Sequence, residues 1–287
     1  MISRRLIQIV LGVLWFVDGI MQLKPPMFTE AFLTQVILPT AQSQPEWISG
    51  SITWASHLVA PHIAVWNALF ALIQLAIGLG LIFNLRTRTV LSISFIWTFL
   101  VWWFGEGFGQ VLTGQSLILT GAPGAVLLYG LIGVAIWPES GDTPSEFLGF
   151  HPRQLQFARY ALGVLWFFGG LLHFQPAYLT SNGFSGAITV DWLSKSLDAS
   201  SFTANLILGL LELGMGLLLL VNKQVLAVLW VSILLSLVYW WSGQGFGQLF
   251  TGLGTDFNAA PLYVLLALCV YPNLLNFRSR GSQLLHS

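Results

Sequence analysis

The chain has 287 residues, of which 55% are apolar and only 8% charged, against roughly 25% charged in an ordinary soluble domain. Its 11 basic and 11 acidic residues cancel, so no net field favours nucleic acid, and the composition is that of a lipid-solvated protein. The single cysteine, Cys269, has no partner for an intramolecular disulfide or a CxxC redox pair, and in an apolar run it acts as a small hydrophobe.

In chain order, the first apolar segment runs from Leu6 to Leu23 behind Arg4 and Arg5, the layout of a signal peptide. Its core Leu11-Gly-Val-Leu-Trp-Phe16 recurs as Leu162-Gly-Val-Leu-Trp-Phe167, and no small-residue cleavage site follows, so it reads as a retained helix. A long loop from Pro25 to Pro61 leads to segments near Ile63 to Phe83, Val90 to Gly105 and Ala122 to Trp137. After a hinge at Pro138 to Pro152, a second set falls near Phe157 to Phe174, Ala204 to Val221, Val225 to Trp241 and Ala259 to Leu274, with a loop from Pro176 to Thr203. Each segment approaches the roughly 17–20 residues that cross a bilayer.

The two sets are one unit repeated. The opening helices match at an offset of 151, pairing Gly12 with Gly163, Trp15 with Trp166 and Gly19 with Gly170. From Trp54 onward the offset is 138, pairing Asn67 with Asn205, Gln74 with Glu212 and Pro123 with Pro261, because the first loop of the first half is 13 residues longer. The expected fold is therefore an all-α integral membrane protein of eight transmembrane helices, in two four-helix repeats over 1–143 and 144–287. An even number of spans per repeat makes the copies parallel, related by a pseudo-two-fold axis along the membrane normal. Arg4, Arg5, Arg86, Arg88, Arg153, Arg159, Lys223, Arg278 and Arg280 fall on one side and only Lys24 and Lys195 on the other. By the positive-inside rule both termini are cytoplasmic, the membrane is the plasma membrane, and the long loops are external.

The most distinctive motif is Trp102-Trp-Phe-Gly-Glu-Gly-Phe-Gly-Gln110, repeated as Trp240-Trp-Ser-Gly-Gln-Gly-Phe-Gly-Gln248 at the external end of the third helix of each half. Its spacing is not the dinucleotide fingerprint, no strand precedes it, and two copies make no four-fold ion filter. It reads equally as a loop delivering polar groups to an external-side pocket and as an aromatic belt with a tight turn. The pocket candidates are Trp103, Glu106, Gln110, Trp241, Gln244, Gln248 and Asp256. Glu106 has Gln244 as its repeat partner and Asp256 has Ile118, so each half keeps one acid that the other lacks. A single pocket shared by the halves accounts for that asymmetry.

Polar residues within spans are costly and are functional candidates by default. Asp18 and Gln22 share a face of the first helix with Trp15; His173 holds the Gln22 position in the second half. Gln74 and Glu212 each share a face with an asparagine seven residues earlier. Asp18, His173, Glu212 and Glu106 are expected to line a polar path between the halves or, alternatively, to glue the bundle by hydrogen bonds. No metal site is expected: His57 and His62 stand without further His or Cys ligands, and the second half has Lys195 and Ser200 in their places.

The first helix, with Arg5, Gly12, Gly19 and Lys24, and the segment Leu211-Glu-Leu-Gly-Met-Gly-Leu-Leu-Leu219 resemble the DoxX/DoxD family of four-helix membrane proteins. The chain departs from that pattern in its duplication, in Gln74 at the glutamate position and in Gln175 at the lysine position. The resemblance implies a redox-associated membrane subunit, as in thiosulfate:quinone oxidoreductase or terminal quinol oxidase assemblies. It also implies a pocket for a quinone head group or a small sulfur oxyanion and a partner subunit that holds the redox cofactor, none being intrinsic. The rival readings are a small-solute transporter or channel and a structural assembly subunit, either of them compatible with a homo-oligomer in the lipid bilayer and neither with nucleic acid. On the topology, reporters fused after Ser287 and near Asp142 are expected to read cytoplasmic and one near Gln42 external; an external reading at either of the first two overturns the parallel arrangement.

Overall fold

The computed structural model describes residues 2–139 and 149–272. Among the described residues the chain is all-helical with no strand. The first half contains α1 (Arg4–Met21), the single turn α2 (Glu30–Phe32), α3 (Glu46–Val59), α4 (Ile63–Ile82), α5 (Thr87–Phe104) and α6 (Ala125–Ala135). The second contains α7 (Pro152–Leu172), α8 (Asp191–Leu197), α9 (Ser201–Leu220), α10 (Val225–Ser242) and α11 (Ala259–Val270). Most of the expected hinge, including Asp142, and the end of the eighth expected segment lie outside the described residues.

Local chemistry sets the helix ends. Ser3 caps α1 by accepting from the Leu6 amide, and Pro152 opens α7 at a position where no amide partner is needed. Asn84 follows α4 in the left-handed conformation, with Leu85 N donating to Gly80 O and Asn84 N to Leu81 O; Asn222 and Lys223 end α9 by the same bonds to Leu219 and Leu218. Asparagine tolerates that conformation and so closes the last turn.

Five helical stretches are long and apolar enough to cross a membrane: Glu46–Ile82, Thr87–Phe104, Pro152–Leu172, Asp191–Leu220 and Val225–Ser242. Their outward residues are large and apolar, with Val65 at 70%, Ile96 at 66% and Leu234 at 65% exposure, which suits lipid and not water. α1 has 18 residues but carries Arg4, Arg5 and Asp18 among them. The two segments expected near Ala122 and Ala259 form helices of only 11 and 12 residues, about 17 Å long at 1.5 Å per residue and short of a roughly 30 Å hydrocarbon core. They are apolar all round because protein surrounds them: Leu128, Tyr129, Ile132, Leu262, Tyr263 and Leu266 are at most 1% exposed. The loop expected from Pro25 to Pro61 is also largely helical, and α3 continues into α4 through a 3₁₀ turn at Ala60–His62.

Glycine permits the closest helix crossings. A Cβ added at Gly78 would stand 2.6 Å from Phe16 N, and one at Gly216 would meet Phe167 N in the same way, so α1 lies on α4, and α7 on α9, backbone to backbone. At the far end of these crossings Arg5 donates to Leu81 O (2.9 Å) and Ile82 O (2.5 Å), and Arg159 donates to Leu219 O and Leu220 O. These guanidinium groups add donors to the carbonyls of the last turns of α4 and α9, where the helix dipole favours positive charge.

The glycine motifs form left-handed turns. Gly107, Phe108, Gly109 and Gln110 all have positive φ, as do Gly245, Phe246, Gly247 and Gln248. Four successive left-handed residues are costly for side-chain-bearing positions, on the order of 1–2 kcal/mol each, so glycine at alternate places halves the strain. The turns are packed as well: a Cβ at Gly109 would lie 1.9 Å from Pro123 O, whereas one at Gly114, also at positive φ, meets nothing within 4 Å. Gly109→Ala is accordingly expected to cost well over ~2 kcal/mol and Gly114→Ala about 1 kcal/mol, readable as thermal midpoints of the purified protein in detergent.

Candidate functional site

Beyond each turn the chain reaches across to the other bundle. From the first half, Ser116 N donates to Gln175 Oε1 (3.2 Å), and Ile118 O accepts from Gln244 Nε2 (2.9 Å). From the second, Leu249, Thr251 and Gly254 present carbonyls to the Lys24 ammonium at 2.8–3.0 Å. The stretch after α10 thereby sets Thr255 and Asp256 against the first bundle, and the stretch after α5 sets Ile118 against the second.

Asp256 closes one end of a chamber of about 360 Å³ inside the first bundle. α1 contributes Trp15, Asp18 and Gln22; α3 contributes Trp54, Ser56 and Val59; α4 contributes Trp66, Phe70 and Gln74; α5 contributes Trp97, Val101 and Phe104; and Glu106 stands just past α5. The wall is mostly aromatic and aliphatic, yet seven of its residues carry a buried polar atom with no partner. These atoms are Trp15 Nε1, Asp18 Oδ1, Gln22 Oε1, Ser56 Oγ, Gln74 Oε1, Trp97 Nε1 and Glu106 Oε2. Buried polar groups are ordinarily paired, so seven unpartnered ones among the residues of one wall single it out as the candidate ligand site.

The acids are held differently. Asp18 is 3% exposed and accepts from Tyr129 OH at 2.5 Å through Oδ2, while Oδ1 is buried without a partner. Glu106 Oε1 accepts from Val126 N at 3.2 Å. Burial, and next the nearby Asp256 carboxylate, push Glu106 up to about 8, against the pull of the Val126 and Ala125 amides. Asp256 is also raised by burial, but both its oxygens are engaged, by Thr255 OH at 2.8 Å and Asn258 N at 2.6 Å. On the opposite side Glu106 and Asp256 border a polar vestibule of about 490 Å³, whose wall includes Thr40, Gln110, Thr113, Thr120 and Asn258. Among the described residues no Lys, Arg or His lines either space.

Of the residues singled out from sequence, Asp18, Gln22, Gln74, Glu106 and Asp256 therefore share the chamber, and Gln110 lies in the vestibule, bonded to Thr40 O at 2.7 Å. The expectation that His173 and Glu212 join them in one path between the halves is corrected: both lie in the second bundle, away from the chamber. There Tyr239 OH donates to Glu212 Oε1 (2.6 Å), which stands 3.5 Å from His173 Nε2, while His173 Nδ1 meets Asn205 Oδ1 at 2.7 Å. Trp103 and Trp241 are likewise outside it. Trp103 donates to Ser51 and packs on Phe104, and Trp241 packs on Trp192 with ring centroids 6.0 Å apart. Gln248 belongs to the left-handed turn. Gln244 is fully engaged, donating to Ile118 O and accepting from Ala260 N at 3.0 Å.

The second bundle places other groups at the corresponding positions. Gly169 holds the Asp18 position, Gln244 that of Glu106 and Ile118 that of Asp256. The Ile118 side chain packs against Gly169, where an aspartate side chain would otherwise stand, and with Gly169 and Tyr263 it borders a separate apolar cavity of about 430 Å³. Tyr129, Ser56 and Trp97 escaped the sequence reading. Tyr129 has one visible signal, a lone hydroxyl in an 11-residue apolar helix. Among the described residues no cluster of three His, Cys, Asp or Glu is placed to hold a metal. Because Glu212 accepts from Tyr239 inside a filled core, Glu212→Leu is expected to lower stability by about 1–3 kcal/mol through the stranded hydroxyl, seen as a lower thermal midpoint, while leaving ligand occupancy of the chamber unchanged.

No family model, no curated protein and no solved structure matches the chain.

Proposed function

We propose that the chain is an integral membrane protein of two parallel repeats with cytoplasmic termini, in which the short α6 and α11 complete their crossings together with the non-helical stretches before them, and that it binds one lipid-soluble ligand in the first-half chamber. The ligand is a quinone-type head group, and the chain serves as a redox-associated subunit whose electron-transfer cofactor belongs to a partner. The observation that carries the reading is the convergence of seven unpartnered polar atoms on one aromatic chamber. A volume of about 360 Å³ lies in the range of roughly 300–1,000 Å³ of small-molecule sites. A planar ring stacks on Trp and Phe faces, and its carbonyl oxygens accept from Trp97 Nε1, from Trp15 Nε1 and from the carboxyl of Glu106 in its protonated form.

Charge favours a neutral head over a sulfur oxyanion. An anion would enter a space bordered by Asp18, Glu106 and Asp256 with no cation in its wall, and desolvated like charges repel strongly. Four tryptophans, Trp15, Trp54, Trp66 and Trp97, line the chamber, so binding is expected to quench intrinsic fluorescence. In detergent or nanodiscs, a decyl-substituted benzoquinone should quench saturably. Trp97→Phe should weaken binding roughly three- to tenfold, the loss of one net hydrogen bond. Absence of saturable quenching, together with no quinone in a lipid extract of the purified protein, would overturn the reading.

A further inference from the structure

The chamber and the vestibule share Glu106 and Asp256 as a common wall, and the two acids are prepared for different tasks. Asp256 accepts through both oxygens, from Thr255 OH and Asn258 N, which is the bonding of a fixed carboxylate. Glu106 accepts only through Oε1, from Val126 N, and its Oε2 is buried without a partner beside Gly124. An orphaned oxygen next to a fixed anion is the arrangement of a neutral acid carrying its proton there. The protonated Oε2 donates to a ligand carbonyl; the ionised group only accepts, and so suits a ligand hydroxyl.

We propose that Glu106 is a proton gate between the vestibule and the chamber: it gains and loses its proton on the vestibule side and thereby sets whether the chamber holds a carbonyl or a hydroxyl form of the ligand. The proposal rests on the quinone-type reading of the chamber. The proton passes between Glu106 Oε2 and vestibule water, and no electron moves in the step. The titratable groups facing Glu106 are Asp256 from the stretch before α11 and Asp18 from α1, with Tyr129 of α6 behind Asp18. All are acids, so none offers it a proton-binding base of opposite charge. The other polar residues of the vestibule, among them Thr40, Gln110, Thr113, Thr120 and Asn258, are amides and hydroxyls that do not titrate and serve as a wetted approach.

The test uses the full chain in proteoliposomes of known orientation, with the pH of each face set separately and tryptophan quenching by decyl-benzoquinone and by its quinol as the readout. As the pH on the vestibule face rises past about 8, quinone affinity should fall by up to ~tenfold per pH unit, the limit for one proton, and quinol affinity should rise. The pH on the opposite face should have no effect. Glu106→Gln should flatten both profiles, and Asp256→Asn should move the midpoint down, because the neighbouring negative charge that favours the protonated acid is gone. Dependence on the opposite face, or a wild-type slope in Glu106→Gln, overturns the gate; if that variant does not fold, an unmoved midpoint in Asp256→Asn overturns it. Binding of both probes without any pH response sinks the gate alone, whereas binding of neither probe at any pH sinks the chamber reading with it.

Discussion

Backbone that is not helical has no partner in hydrocarbon, and every amide and carbonyl in it must be satisfied by protein or by a wet cavity. That constraint bears hardest on the stretches between α5 and α6 and between α10 and α11, because the helices that follow them are too short to cross a bilayer. The chain answers it by laying each stretch on the other bundle. Lys24 takes three carbonyls of the second-half stretch, and Gln175 and Gln244 take an amide and a carbonyl of the first. Loop satisfaction and association of the halves are consequently one interaction. An acid from the second half reaches a chamber in the first for the same reason.

The two sites show how unequal occupation by polar groups follows from that exchange. In the second bundle Gln244 donates to Ile118 O of the first half and accepts from Ala260 N, Tyr239 donates to Glu212, and Ile118 packs against Gly169, which leaves Glu212 Oε2 and His173 Nε2 as the unpartnered atoms of that core. In the first bundle seven such atoms belong to the residues around one space, at a cost of about 1–3 kcal/mol for each unmet polar atom. The unmet polar groups are therefore concentrated in the first bundle.

Much of the fold is legible in the sequence because the repeat is written in rigid features. Gly12, Gly78, Gly163 and Gly216 mark close helix crossings, and apolar runs of 18 or more residues announce the long helices. The short α6 and α11 were less legible, since an apolar run reads alike whether lipid or protein surrounds it. Charge asymmetry between the repeats pointed to Glu106 and Asp256, which the structure brings to one wall. The division of Asp18 from His173 and Glu212 was hidden, because a helical face specifies a direction within its own bundle and not which bundle is open. Ser56 and Trp97 gave no signal at all, being a serine in a loop and one tryptophan among 13.

The extra length in the first loop of the first half supplies the remaining physical reason for the asymmetry. Where the second half passes from Pro176 to α9 with the seven-residue α8, the first half has 13 more residues and carries α2, the turns that follow it and the 14-residue α3. Phe32 and Val36 from the longer loop, with Trp54, Ser56 and Val59 of α3, line one side of the chamber. Without such a wall, a space between α1, α4 and α5 would open directly to lipid, and an apolar side chain would be its cheapest filling. Ile118 is that filling in the second bundle. The longer loop adds Phe32 and Val36 to the wall at this crossing of helices, and the same space is bordered by Asp18, which meets Tyr129, and by Glu106. The longer loop and the acids that distinguish the first half thus meet at one place in the fold.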